Sequence, residues 1–167
     1  MDTGKSFDEI SEKVYSANVY IDSFSIVEAL EKGAQIVLSG RVSDPGLTLG
    51  PCAYEFGWSK QEYDKIAAGT LAGHIIECGA QCTGGNYSNW QDVPDMVNLG
   101  YPIVEIKPDG KFCVTKHTGT GGLVTRETVA EQIVYEMGDP KYYISPDVCV
   151  DFTSFQLIDK GNDRVEV

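Results

Sequence analysis

Three residues within one and a half turns of an expected helix, His74, Glu77 and Cys78, are the densest cluster of reactive side chains in the sequence. They fall in GTLAGHIIECGAQCTGGN, residues 69–86, among small and apolar neighbours. On a helix, positions 74 and 78 are i,i+4 neighbours and position 77 adjoins both. Three chemistries are open to such a group. As metal ligands, His74, Glu77 and Cys78 would need a fourth from Cys82 or His117. The second close histidine of helical metal motifs is missing and Cys82 lies beyond the helix end, so the spacing predicts no metal. As a nucleophile, Cys78 would use His74 as its base. The last turn of a helix carries the negative end of the dipole, which disfavours a thiolate, and Cys78 reads better as a small buried hydrophobe. In the third reading His74 and Glu77 form a polar pair in a cavity wall, suited to proton transfer. The same pair could equally be an internal contact holding the helix end against the CTGGN loop, and the residues alone leave both open.

Such a pair needs a folded scaffold, and the composition supplies one. A chain of 167 residues with 42% apolar content fits a single domain with a real core. A net charge of −12 argues against a nucleic-acid footprint and against attraction to an anionic membrane face, so small molecules and proteins remain as partners. No apolar run approaches the roughly 20 residues of a membrane helix, and the N-terminal residues resemble neither a signal nor a transit peptide, which makes a cytoplasmic location the expectation. The five cysteines, Cys52, Cys78, Cys82, Cys113 and Cys149, are odd in number and contain no CxxC pair, as expected of free thiols in a reducing compartment.

The elements that must position the pair follow from periodicity. Residues 18–39 read as a short strand, a helix over 26–32 closed by Gly33, and a buried strand over 35–39, together a βαβ unit. The expected fold is therefore α/β, a mainly parallel sheet with flanking helices and one β-hairpin. Ligands of such sheets collect at the carboxyl ends of the strands, which places Arg41 and Asp44 of the loop GRVSDPGLTLGP in a candidate site. A simple ion pair across that loop is the alternative. Ser59 and Glu62 mark the start of a helix over 60–78, with Gly79 as its left-handed cap. Beyond Ala68 both faces of this helix are apolar, so its second half should be buried all round, and Gly69 and Gly73 should admit a close neighbour. PIVEI and KFCVTK, joined through Lys107, Pro108, Asp109 and Gly110, predict the hairpin. A second helix over 126–137 follows, with Thr125 as N-cap.

Glycine accounts for 18 residues, well above the average usage of about 7%, and it clusters in loops. The loop HTGTGG after Lys116 precedes a helix, and four cationic residues between positions 101 and 126 outnumber Glu105 and Asp109. Lys116, Thr118, Gly119, Thr120, Gly121 and Gly122 thus form a candidate cradle for an anionic group, with Gly84, Gly85 and Asn86 of the CTGGN loop as further ligand contacts.

GRVSDPGLTLGP, AAGTLAGHIIECGAQCTGGN, GYPIVEI and TGTGGLVTRETVAEQIVYEMGDP followed by YISPDV, in this order, resemble the N-terminal domain of the acyclic terpene utilisation (AtuA) family. The resemblance covers residues 18–167. It implies a part in the catabolism of acyclic isoprenoids such as citronellol and geraniol, processed as CoA thioesters. It also implies that residues 1–167 are one partial domain, an internal piece whose missing strands and part of whose site are supplied by remaining segments of a longer protein.

Together these features lead to an expected enzyme on branched or isoprenoid acyl-CoA, of hydratase or lyase type. His74, Glu77, Arg41 and Asp44 are its catalytic candidates and the glycine loop is its anion contact. No cofactor is identified beyond a CoA thioester carried by the substrate. The rival is a non-catalytic subunit or assembly module in which the same glycines only pack helices and loops. A homo-oligomer is expected in either case, because an incomplete sheet leaves apolar surface uncovered. Convergence of His74, Glu77, Arg41, Asp44 and Lys116 on one pocket separates the two.

Overall fold

The computed structural model describes residues 4–167 of the protein. Its helices are α1 (Phe24–Glu31), α2 (Gly46–Phe56), α3 (Tyr63–Ile76) and α4 (Arg126–Val134). Its strands are β1 (Pro102–Ile106), β2 (Phe112–Lys116), β3 (Tyr143–Ile144), β4 (Cys149–Val150), β5 (Ile158–Asp159) and β6 (Val165–Glu166). A four-stranded sheet runs in the order β1-β2-β6-β5, antiparallel throughout, and β3 pairs with β4 in a separate two-stranded sheet.

This corrects the expected fold: there is no mainly parallel βαβ sheet. Residues 35–39 form no strand, the chain bending at Gln35 and Ile36, and Ile36 and Leu38 are 90% and 98% exposed. The βαβ unit is reduced to one parallel bridge, Ile21 to Val42, made by Ile21 N–H on the Arg41 carbonyl (2.9 Å) and Ser43 N–H on the Ile21 carbonyl (3.2 Å). Apolar residues give a segment strand propensity, but a strand exists only where a neighbour completes the ladder and covers a face. Among the described residues no strand pairs with 35–39. The short helix between the two segments is present as α1.

The second correction is α2, which occupies much of the loop expected at GRVSDPGLTLGP. Gly46, Gly50 and Pro51 are turn formers in most contexts. Here Gly57, at φ +64°, caps the helix, and the glycines are needed for contact. A Cβ at Gly50 would stand 2.9 Å from Ile26 Cβ on α1. Helix α2 lies between α1 and α3, and burial of Leu49 and Ala53 outweighs the cost of a proline in the helix.

Helix α3 is buried as expected but ends at Ile76 with Glu77 as its C-cap, short of the expected end at Cys78 and cap at Gly79. Ile66 and every residue from Gly69 to Ile75 are buried. One side of the helix packs with Leu49, Ala53, Trp58 and Val27 through Ile66. Leu71, Ala72 and Ile75 join Val114, Val124, Val129 and Val165 in the larger core under the sheet. The start is later than expected: Glu62 is the N-cap residue, and its carboxylate accepts from the Ser59 N–H (2.8 Å). The hairpin forms where expected, with Lys107 N–H on the Lys111 carbonyl (2.9 Å) and Gly110 at φ +89°. Helix α4 begins at the expected cap, where Thr125 Oγ1 accepts from Thr128 N–H (3.3 Å), and ends three residues earlier than expected.

Gly73 is the tightest point between helices. A Cβ there would lie 2.5 Å from the Pro45 carbonyl oxygen and 2.6 Å from its Cα, both backbone atoms that cannot swing away. Gly73→Ala should therefore destabilise the fold by about 1–3 kcal/mol, as overpacking does. Gly40→Ala, where no atom lies within 4 Å of an added Cβ, should stay within about 0.5 kcal/mol of the parent in denaturant unfolding.

Candidate functional site

Close approach at Gly73 determines what meets the end of α3. One turn after Gly73 comes Glu77, and Arg41 to Asp44 immediately precede Pro45, so the two segments face one another. They enclose a cavity of about 590 Å³ lined by Arg41, Ser43, Asp44, Ile76, Glu77 and Glu136, among others. Leu47 and Val42 add apolar wall. A second cavity of about 420 Å³ shares Ser43 and Asp44 and is otherwise lined by Tyr20, Pro45 and residues 143–146.

His74 is 2% exposed and sits behind Glu77 rather than in the cavity wall. Its ring lies edge-on to Tyr143 (5.4 Å between centroids) and against Phe152 (5.6 Å). Nε2 is 3.1 Å from the Ile133 carbonyl oxygen of α4, and Gln132 Nε2 donates to the His74 carbonyl (3.3 Å). A carbonyl oxygen only accepts, so Nε2 must carry a proton. Nδ1 lies 3.2 Å from Glu77 Oε1, although it forms no well-aligned hydrogen bond there, and Glu77 Oε2 has no partner. A neutral Nδ1 and an ionised carboxylate would be two acceptors in contact. The contact becomes attractive only when one proton is held between them, either as imidazolium with carboxylate or as imidazole with carboxylic acid. Glu77 thus stands between the buried ring and the cavity, with one carboxylate oxygen unpartnered.

Arg41 and Asp44 do converge with Glu77 on this cavity. Arg41 Nη1 pairs with Asp44 Oδ1 at 3.0 Å, Nη2 donates to the Tyr20 hydroxyl, and the guanidinium lies 4.2 Å from the Tyr20 ring centroid. Both charged side chains are about half exposed, so the pair contributes little to stability. Three carboxylates, Asp44, Glu77 and Glu136, face one cation across the cavity. Tyr143 registers the same surroundings: burial, and then Glu77 and Asp44, push its phenol up to about 12.

Lys116 does not join them. Its side chain, 6% exposed, pairs with Asp163 (3.1 Å) and donates to the Thr120 carbonyl (2.9 Å). Most amides of the loop after it that were expected to meet an anion are bonded within the protein. Thr120 N–H bonds the His117 carbonyl, Gly121 N–H the Asn98 carbonyl (2.6 Å) and Gly122 N–H the Leu99 carbonyl (3.0 Å). An added Cβ at Gly121 would lie 2.2 Å from Asp95 Cβ, and at Gly122 2.4 Å from the Leu99 carbonyl oxygen. Thr118 and Gly119 are exposed, and it is Gly119 that has positive φ, +82°. In the CTGGN loop the amides of Gly84, Gly85 and Asn86 bond the carbonyls of Gln81 and Ala80. Thr83 joins the two glycine loops: its carbonyl accepts from Leu123 N–H (2.8 Å) and its hydroxyl donates to the Gly100 carbonyl (2.6 Å). These glycines are where backbone meets backbone.

Cys78 lines the cavity, and burial first of all pushes its thiol above the ordinary range. Cys82 is fully buried and pushed up to about 12. Neither is a thiolate near neutral pH. All five cysteines are free, and among the described residues no three His, Cys, Asp or Glu side chains come together as a metal site. No helix among them is long and apolar enough to cross a membrane.

Sequence reasoning missed Ser43 and Glu136. Ser43 stands between Val42 and Asp44 in a segment already singled out, and its burial with an unpartnered hydroxyl comes from the fold alone. Glu136 has φ +53°, a backbone conformation that costs a non-glycine residue about 1 kcal/mol or more, and no sequence pattern announces it.

The sequence model of the family described as acyclic terpene utilisation family protein AtuA matches residues 1–167 of the chain. No curated protein and no solved structure matches it.

The fixed orientation of the His74 ring has a measurable consequence. Glu77→Gln keeps a donor for Nδ1 in its side-chain amide and should melt within a few degrees of the parent. His74→Ala leaves a void and the Ile133 carbonyl without its donor, and should cost about 2–5 kcal/mol in denaturant unfolding. Nitrogen NMR of the His74 ring should find Nε2 protonated throughout the stable pH range. An Nδ1-protonated neutral tautomer would contradict the arrangement.

Proposed function

The chain belongs to the acyclic terpene utilisation (AtuA) family, and from that premise we propose that it handles a proton on a branched, acyclic isoprenoid acyl-CoA, in a hydration or carbon–carbon lysis step. What supports this is the buried His74–Glu77 pair, 3.2 Å apart, with Glu77 in the wall of a cavity that Arg41 and Asp44 also line. In hydration, the water oxygen bonds to one alkene carbon while its proton passes to the Glu77 carboxylate, and the neighbouring carbon takes a proton back. In lysis, the same carboxylate takes the hydroxyl proton as the carbonyl forms, the carbon–carbon bond breaks, and the released carbanion is protonated. Both need a group that accepts and returns one proton, and His74 behind Glu77 is placed to stabilise either charge state. With three carboxylates and a guanidinium already paired to Asp44, the cavity disfavours the CoA phosphates, which belong outside it, while Val42, Leu47 and Ile76 offer the branched chain an apolar wall.

Glu77→Gln should lower turnover of a branched enoyl- or 3-hydroxyacyl-CoA by about 10²–10⁴-fold with KM little changed, the usual range for loss of a general acid–base. Turnover equal to the parent, in a folded variant, would remove Glu77 from the chemistry.

A second reading, the assembly module, is favoured by one observation. Val19, Ile36 and Leu38, 81%, 90% and 98% exposed, lie on two segments without strand pairing beyond the single bridge at Ile21 and Val42. Apolar side chains on unpaired backbone invite a further strand from a second copy or from other segments of the protein. Leu38→Asp should then lower the sedimenting mass of the associated protein. A mass unchanged from the parent at all concentrations leaves these residues without a partner.

A further inference from the structure

Tyr143 carries a hydroxyl that packing holds in place and that is still open to a ligand. Its ring is stacked on Phe152, with centroids 4.7 Å apart and planes inclined by 16°, and meets the His74 ring edge-on at 5.4 Å. The turn that follows is closed by Ser145 N–H on the Val148 carbonyl (3.0 Å). Asp147 pins that turn to the start of α1, accepting from the Ser23 N–H (2.9 Å) and from the Ser23 hydroxyl (2.7 Å). The Tyr143 hydroxyl itself makes no hydrogen bond among the described residues. Unlike Ser43 Oγ and Glu77 Oε2 it is not sealed off, and the half-buried residue lines the cavity of about 420 Å³ beside Pro45. A donor fixed in this way gives up no protein partner when a ligand arrives.

The surroundings decide what it can bind. Burial first, then Glu77, Asp44 and Glu136, push the phenol up to about 12, so it keeps its proton and donates at any ordinary pH. Ionised carboxylates only accept, and the Arg41 guanidinium already serves Asp44 and Tyr20. A carbonyl oxygen that enters needs a donor, and Tyr143 offers one that is unengaged. Hydration of an enoyl thioester and lysis of a 3-hydroxyacyl thioester share one such oxygen: both reactions build an enolate whose charge rests on the thioester oxygen. Beside Asp44 and Glu136 that charge is unfavourable unless a donor is already aimed at it.

We propose that Tyr143 is a catalytic residue, the hydrogen-bond donor to the thioester carbonyl oxygen, with its phenol keeping its own proton while that oxygen takes up enolate charge. This rests on the acyl-thioester reading proposed above but is independent of Glu77 as the proton carrier.

Infrared spectroscopy of isovaleryl-CoA, isotopically labelled at the thioester carbonyl carbon, reads this contact without turnover, because the saturated chain has neither a double bond to hydrate nor a hydroxyl to start lysis. The carbonyl band of the bound thioester should lie at lower frequency in the parent than in Tyr143→Phe, which keeps the ring and its stack on Phe152 and should melt within a few degrees of the parent. Identical bound bands, or no binding by the parent, overturn the proposal. Turnover of a branched enoyl- or 3-hydroxyacyl-CoA should fall about 10²–10³-fold in Tyr143→Phe, with KM within about threefold of the parent. A change confined to KM overturns the catalytic role. Should Tyr143→Phe fail to fold, Tyr143→fluorotyrosine decides: fluorine on the ring makes the phenol a stronger donor and should move the bound band lower still, and an unmoved band overturns the proposal. Bands that differ between the parent and Tyr143→Phe, alongside full turnover in Glu77→Gln, would remove the proton-transfer role of Glu77 and leave this one. Turnover lost in Glu77→Gln with identical bands would do the reverse.

Discussion

The contact of Gly73 with Pro45 governs much of what surrounds it. Where any other residue would place a Cβ, Gly73 of α3 receives backbone and ring atoms of Pro45 at 2.5–2.7 Å. That approach brings the segment before α2 across the end of α3 and so sets Arg41, Ser43 and Asp44 opposite Glu77. Gly69 repeats the contact one turn earlier, with Leu49 Cδ1 at 2.7 Å and the Trp58 ring at 3.2 Å from an added Cβ. Small residues four apart let two helices meet through backbone, and the cavity is the space left where the helices diverge.

On that frame the His74–Glu77 pair occupies a place no single element could create. Helix α3 supplies both residues, α4 supplies the Ile133 carbonyl and the Gln132 amide, and the β3–β4 region supplies Tyr143 and its stacked neighbour Phe152. Packing and the Ile133 carbonyl fix the His74 ring, and with it the edge of the ring that meets Glu77.

The two glycine-rich loops serve a different end. Around Thr83, amides and carbonyls of residues 80–86, 98–100 and 120–123 bond one another at a spacing that side chains would prevent. Lys116, buried against Asp163 and the Thr120 carbonyl, ties this junction to β2, and Asp163 Oδ1 also accepts from Val124 N–H (2.9 Å). A buried lysine needs such a partner, and its charge is used up there. The junction seats α4, and through α4 the carbonyl that orients His74.

The sequence by itself determined the local features whose causes are local. The turn chemistry of Lys107 to Gly110 fixed the hairpin, Thr125 fixed the start of α4, and the loss of polar residues after Ala68 fixed the burial of α3. The proximity of His74 and Glu77 also follows from helical spacing. Tertiary structure decided everything that depends on a neighbour. Residues 35–39 carry strand-forming side chains but have no ladder, whereas Gly46, Gly50 and Pro51 resemble turn residues but sit in α2 because Ile26 and α3 press against it. Whether a glycine amide cradles an anion or bonds a carbonyl, and whether Lys116 faces a ligand or Asp163, depends on which distant backbone arrives beside it. That distance is set by packing, and the order of residues along the chain does not encode it locally.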